Sequence, residues 1–248
     1  DAIIDKMMKS KNWTSSKYFG MTKEEIKLQW DNNGTLASTA GTKLHFDIEC
    51  YYNLHPNTND SIEYSYFKKF SQDFPKLIPF RTEWTVFDRE TKLAGSIDML
   101  FTDSDNNFYI CDWKRTKEIK MTNRYEKCKH PLLIDIPDCN FYHYAFQLNT
   151  YKYILEKNYN LKVNYMFLIC LHPENKNNSY IKIDIPDLQD MIKKLLEYKM
   201  NPISDEEFSK QSEIAKLRSL LNNLEQKKSN IIYKISDIEN KLNTLLNT

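Results

Sequence analysis

The spacing of apolar positions changes period along the chain, and each change predicts an element. From Thr22 to Trp30 the pattern is helical and stops at Asn32-Asn33-Gly34, a turn-forming run. Leu44, Ile48 and Tyr51 then recur at helical spacing and predict a second helix over 38–52. Residues 53–60 are rich in turn formers. Three strands follow, over 82–87, 93–101 and 108–114, separated by Asp88–Lys92 and by Asp103-Ser104-Asp105-Asn106-Asn107. A helix over 140–157 capped by Asp138, strands over 164–171 and 180–183, and a helix over 188–198 complete this part.

Beyond the capping box Ser204-Asp205-Glu206-Glu207 the pattern becomes a heptad. Ile214, Leu217, Leu221, Leu224, Ile231, Ile235, Ile238, Leu242 and Leu245 fall at spacings of three and four, with Lys228 as the polar seam position. This predicts a long helix or coiled coil, with a hairpin broken near Ser229-Asn230 as the alternative. Its seam has two outlets, a lid on the same chain or self-association. The expected organisation is a domain over 1–203 and a helical segment over 204–248. No repeat of solenoid or propeller length is present.

Composition narrows the function. Four glycines, with no GxxxxGK[ST] or GxGxxG run, argue against phosphate loops and dinucleotide folds. Five scattered cysteines (Cys50, Cys111, Cys128, Cys139, Cys170) point to a reduced, intracellular protein. No apolar run approaches the ~18 residues of a membrane span, and the first residues lack a secretory pattern, so no membrane partner is expected. The net charge of +1 gives no bulk signal for nucleic acid. It is uneven, however. Residues 114–129 hold seven basic residues against two acidic ones, a net +5, while 205–248 hold seven of each.

Candidate chemistry lies on the strands and two helices. In Phe108–Lys114 side chains alternate, so Asp112 and Lys114 share one face and Cys111 and Trp113 the other. An acid and an amine so placed can address one phosphate, the acid through a cation. Asp98 is the one charge in the apolar strand Leu93–Leu100, as a buried paired group or a ligand would be, and Gly95 permits close backbone approach nearby. His45 and Glu49 share a helical face, as do Gln147 and Tyr151.

Taken in order, Gly41-Thr42-Lys43-Leu44-His45 with Glu49, Gly95-Ser96-Ile97-Asp98, Cys111-Asp112-Trp113-Lys114 and Gln147-Leu148-Asn149-Thr150-Tyr151 resemble the GTxxH…E, GxxD, (D/E)xK and QxxxY motifs of PD-(D/E)XK nucleases of the RecB/lambda-exonuclease branch. The resemblance covers residues 39–171. It implies a restriction-endonuclease-like α/β fold, a mixed central sheet flanked by helices, and metal-dependent hydrolysis of DNA, as an exonuclease on ends or single strands. An endonuclease, an RNA-directed nuclease, a spent fold serving as a binding or assembly module, and a structural adaptor are the alternatives.

The resemblance also assigns roles. His45, Asp98, Asp112 and the Trp113 carbonyl would hold Mg²⁺ or Mn²⁺. Glu49 would reach the site directly, through water or at a second ion, and Lys114 would position or deprotonate the attacking water. Gln147 and Tyr151 would brace the site or touch DNA, with Glu83 in a supporting place. The basic stretch Arg115, Lys117, Lys120, Arg124 and Lys127, with Tyr125 to stack on a base, reads as a phosphate-tracking arm. Relatives with an iron–sulfur cluster carry three cysteines after QxxxY. Here only Cys170 follows it, which argues against a cluster. Cys128, His130, Cys139 and His143 have zinc-ligand chemistry, but their spacing matches no established pattern, and chance clustering is the preferred reading. The richness in Asn, Lys, Ile and Tyr suits an AT-rich viral or parasite genome.

Overall fold

The computed structural model describes residues 2–123 and 126–246. The chain is mixed α/β. Helices α1 (Ala2–Met8), α2 (Lys23–Tyr52) and α3 (Ile62–Asp73) precede strands β1 (Ile78–Asp88), β2 (Leu93–Thr102) and β3 (Phe108–Lys114). Helix α4 (Asn140–Asn158), strands β4 (Val163–Cys170) and β5 (Ile181–Asp184), and helices α5 (Gln189–Met200) and α6 (Asp205–Leu246) follow. The strands form one mixed sheet in the order β1–β2–β3–β4–β5. β2 and β3 pair antiparallel with Met99 opposite Cys111, and β4 and β5 pair antiparallel with Phe167 opposite Asp184.

Two compact units divide the chain. One comprises Asp1–Trp84, Ser96–Lys117 and Phe167–Asp184; the other comprises Thr85–Gly95, Glu118–Met166 and Ile185–Thr248.

The first unit has an aromatic core. Leu44 and Ile48 of α2 and Tyr64, Phe67 and Phe70 of α3 pack on Met99, Phe101, Cys111 and Trp113 of the sheet. The Trp113 ring meets Phe67 and Phe70 edge-on, with centroids 5.6 and 5.5 Å away. Burying side chains of this size contributes roughly 1.5–3 kcal/mol each, which fixes β3 and the polar residues that alternate with Cys111 and Trp113. Buried Asp47 accepts from Lys43 at 2.7 Å and Asn59 at 2.6 Å, tying the loop after α2 back to that helix.

In the second unit α4 packs on α5. Asn149, fully buried, donates to the carbonyls of Ala145 and Pro186 and accepts from the backbone N–H of Leu188 at 2.7 Å. The turn between β1 and β2 closes on Asp88, which accepts from the Thr91 hydroxyl at 2.6 Å and from Asn158 at 3.1 Å.

Several expectations from sequence need correction. The two helices expected over 22–30 and 38–52 are one 30-residue helix running through Gly34. A capping box between Thr22 and Glu25 starts it, and the face around Leu44 and Ile48 anchors its far end. One glycine costs a helix only about 1 kcal/mol, less than these gains. Helix α3 was not anticipated. Asp138 does not cap α4: the residue before the helix is Cys139, which makes no side-chain cap bond, and Asp138 Oδ1 instead pairs with His143 Nε2 at 2.7 Å. Helix α6 continues unbroken through Ser229-Asn230, so the hairpin alternative falls. Ser204 Oγ does accept from the Glu207 N–H at 3.2 Å at its start.

Candidate metal centre

The first unit brings three ligand-bearing side chains together. Atoms of His45, Glu83 and Asp98 lie within 4.8 Å of one another, the one such group found among the described residues. Helix α2 supplies His45, whose neighbours Leu44 and Ile48 fix the helix in the core. β1 supplies Glu83, at a backbone φ of +43°, a left-handed value inside a strand that signals local strain at a β-position. Its Oε2 accepts from Ser96 at 3.2 Å. β2 supplies Asp98, whose Oδ2 lies 3.5 Å from His45 Nδ1 and accepts from the Trp113 N–H at 2.9 Å.

Asp112 and Lys114 stand beside them on β3. Asp112 is 2 % exposed, and its Oδ2 has no hydrogen-bond donor. It has one close charge, Lys114 Nζ at 2.5 Å, an ion pair outside hydrogen-bond geometry. The Lys114 carbonyl accepts from the Leu171 N–H at 2.8 Å, which pins the end of β3. The Lys114 ammonium is the positive charge that pairs this buried carboxylate.

The electrostatics agree. Burial first, and the Asp112 charge second, push the Asp98 pKa up to about 7. Burial raises Asp112 as well, outweighing the lowering by Lys114. For His45, burial pulls downward, but the Glu83 carboxylate 3.9 Å away and the charges of Asp98 and Asp112 outweigh it and raise the pKa. Each of the three therefore keeps its proton to a higher pH than the free side chain does. A divalent cation would favour their deprotonated forms, and carboxylate oxygens with one imidazole suit Mg²⁺ or Mn²⁺. The site fits the ion that the resemblance implies.

A pocket of about 420 Å³ is lined by Gly41, Thr42, His45, Phe46, Glu49 and Glu83, so Glu49 opens onto the same space as His45. Glu83, given a supporting place from sequence, joins the centre. Its signal was an acid on the first strand, but the positive φ and the Ser96 bond that orient it are tertiary. No motif marks Glu63 of α3, which is buried and accepts from Arg115 Nε at 2.8 Å. Arg115 is thereby built into the fold.

The other basic residues are spread out. Lys117 forms an exposed ion pair with Glu174, and Lys127 lies 3.9 Å from Asp135. Lys120 is exposed, its N–H donating to Asn140 Oδ1. Arg124 and Tyr125 fall outside the described residues. Gln147 and Tyr151 belong to the second unit, where Gln147 Nε2 donates to the Tyr151 hydroxyl at 3.0 Å. There the Tyr151 ring occupies the space that a Cβ on Gly95 would fill, 2.6 Å from its Cε1. His130 packs edge-on against Tyr198 and Phe208, and His143 faces Asp138, so the four Cys/His candidates for zinc form no ligand-spaced group among the described residues. All five cysteines are free thiols.

Compared with known proteins, the chain matches no family model and no curated protein. No helix among the described residues is long and apolar enough to cross a membrane.

Proposed function

We propose that the first unit is a divalent-metal-dependent phosphodiesterase, a DNA nuclease of the PD-(D/E)XK type with the restriction-endonuclease-like fold, acting on ends or single strands. The observation that carries this reading is the buried Asp112–Lys114 ion pair beside the His45–Glu83–Asp98 group. His45, Asp98, Asp112 and the Trp113 carbonyl are the residues to hold the ion, with Glu83 added by its place in the group and Glu49 at the rim. Bound there, Mg²⁺ or Mn²⁺ supplies charge stabilisation for a phosphate and activation of water.

The chain's own groups do the rest. Lys114 positions the attacking water and, as an ammonium, balances charge as the new P–O bond forms and the leaving P–O bond breaks, the water's proton passing to solvent and the leaving oxygen taking one from it. Asp112, at 2.5 Å, holds Lys114 in place. The Trp113 N–H fixes the orientation of Asp98. Lys114→Ala and Asp112→Asn are each expected to lower DNA cleavage at least 10²-fold while the circular dichroism spectrum stays native. Wild-type turnover in either purified variant contradicts the assignment.

A further inference from the structure

A second cleft of the first unit, about 790 Å³, shares Phe46 and Glu49 with the pocket around His45. Two phenylalanines line it where a core would have hidden them. Phe46, next to His45 on α2, is 61 % exposed, and Phe80, three residues before Glu83 on β1, is 43 % exposed. Phe80 is held edge-on to Phe108 with centroids 5.1 Å apart. The Asn53 amide donates to the Glu49 carbonyl and to Thr82 Oγ1, both at 2.9 Å, so the end of α2 is pinned to β1. Arg81 lies in the same lining, its guanidinium over the Trp84 ring at 5.8 Å from the centroid.

Exposed rings with a guanidinium, next to a cation centre, match the chemistry of an unpaired nucleotide: a π-face to stack and a phosphate to pair. We propose that this cleft seats an unstacked nucleobase of the strand being cut, with Phe46 and Phe80 as its stacking surfaces and Arg81 on the adjoining phosphate. This rests on the nuclease reading and deepens it. A base inside a duplex cannot offer its face, so the cleft selects single-stranded or frayed ends.

The test is equilibrium binding of a fluorescent oligothymidylate, and of a hairpin-closed duplex, to the full chain with Ca²⁺ replacing Mg²⁺. Phe46→Ala and Phe80→Ala are each expected to weaken single-strand binding roughly 5- to 100-fold, with duplex binding little changed and Phe46→Trp retaining affinity. Phe46 is the surer variant, since its exposed ring carries little of the fold. If the wild type cleaves DNA but Phe46→Ala binds the oligonucleotide unchanged, the seat is overturned and the nuclease reading stands. A wild type that neither binds nor cleaves overturns both.

An independent observation concerns α6. Its nine aliphatic seam residues, from Ile214 to Leu245, are 39–74 % exposed. They alternate in steps of three and four without a slip, which places Ile214, Leu221, Lys228, Ile235 and Leu242 at a and the rest at d. The helix does touch its own unit, through Ser219 to Asp135 and along Gln211, Ala215 and Asn222, but the exposed seam turns away from these contacts past Ile214. Within its own unit the seam is therefore left uncovered.

The flanks choose the partner. The g positions are Glu213, Leu220, Lys227, Lys234 and Lys241, and the e positions include Arg218, Glu225, Ile232 and Glu239. A parallel second copy sets Glu213 opposite Arg218 and Lys234 opposite Glu239, with no like-charged pair among these positions. An antiparallel copy sets the lysine-rich g row against itself. The seam is about 45 Å long, enough to approach the ~800 Å² per partner of a standard interface.

We infer that α6 joins a second copy of this chain in a parallel two-stranded coiled coil, with Lys228 setting the register. Sedimentation of the full chain is expected to give a dimer, and Ile235→Asp/Ile238→Asp a monomer with unchanged nuclease activity. Oxidised Leu242→Cys is expected to cross-link the dimer while the wild type does not. A wild-type monomer at tens of micromolar, a larger oligomer, or a dimer that Leu242→Cys fails to link overturns the inference.

Discussion

At the scale of the residue, the centre is a set of groups that keep their protons to a higher pH than the free side chains do. Asp98 titrates near 7 because of burial and the Asp112 charge, whereas an unfolded aspartate titrates near ~3.9. The folded state therefore keeps this proton to higher pH than the unfolded state, and the group lowers stability as pH rises between those values. A bound cation reverses the penalty. The melting temperature of metal-free protein is expected to fall from about pH 5 to about pH 8, and Mn²⁺ to restore it more strongly at the upper end. Asp98→Asn should flatten both trends, and an unchanged Mn²⁺ response in that variant contradicts the ligand assignment. Gly95 carries a second residue-scale prediction. A methyl group there would meet the Tyr151 hydroxyl at 2.9 Å, so Gly95→Ala is expected to cost about 1–3 kcal/mol in urea unfolding. In a Tyr151→Ala background that cost should vanish, and equal costs in both backgrounds would show that the ring is not the obstacle.

At the scale of the element, legibility followed how local the signal is. β3 was read to the residue, since its alternation is bounded by the Asp/Asn loop before it. The heptad of α6 was equally clear because every seam position but Lys228 is aliphatic. Helix α3 was missed although Ser61 caps it, accepting from the Tyr64 N–H at 3.3 Å. Its Tyr64, Tyr66, Phe67 and Phe70 form a dense aromatic run with strand-like composition, and only the core around Trp113 decides its period. The join within α2 was misread because Asn32-Asn33-Gly34 is a genuine local breaker that a cap and a distant core contact override. Open space surrounds a Cβ on Gly34. Gly34→Ala is therefore expected to stabilise the protein by about 0.5–1 kcal/mol. Destabilisation on thermal or urea unfolding would mean that the helix does not run through this point.

At the scale of the whole molecule, the charge of +1 hides local imbalance. The net +5 of residues 114–129 overstates the free positive charge, because Arg115 is bound to buried Glu63 and Lys117 to Glu174. This was not legible in sequence, since both acids lie more than fifty residues from their partners. On the proposed nuclease reading, the acidic centre and these internal pairs would leave DNA attraction to depend on the cation as well as on exposed lysines. Part of the candidate cluster was legible: His45 and Asp98 stand on the helix and strand expected of them, Asp112 lies on β3 outside the group of three, and Glu83 needed the fold to reveal its place. The most direct test of the central claim is digestion of end-labelled single-stranded and duplex DNA by the purified full chain with Mg²⁺, Mn²⁺ or EDTA. Cleavage is expected with either ion, faster on single strands or ends, with none in EDTA and none from Asp112→Asn. DNA left intact with both ions, or cleaved equally in EDTA, would contradict that claim.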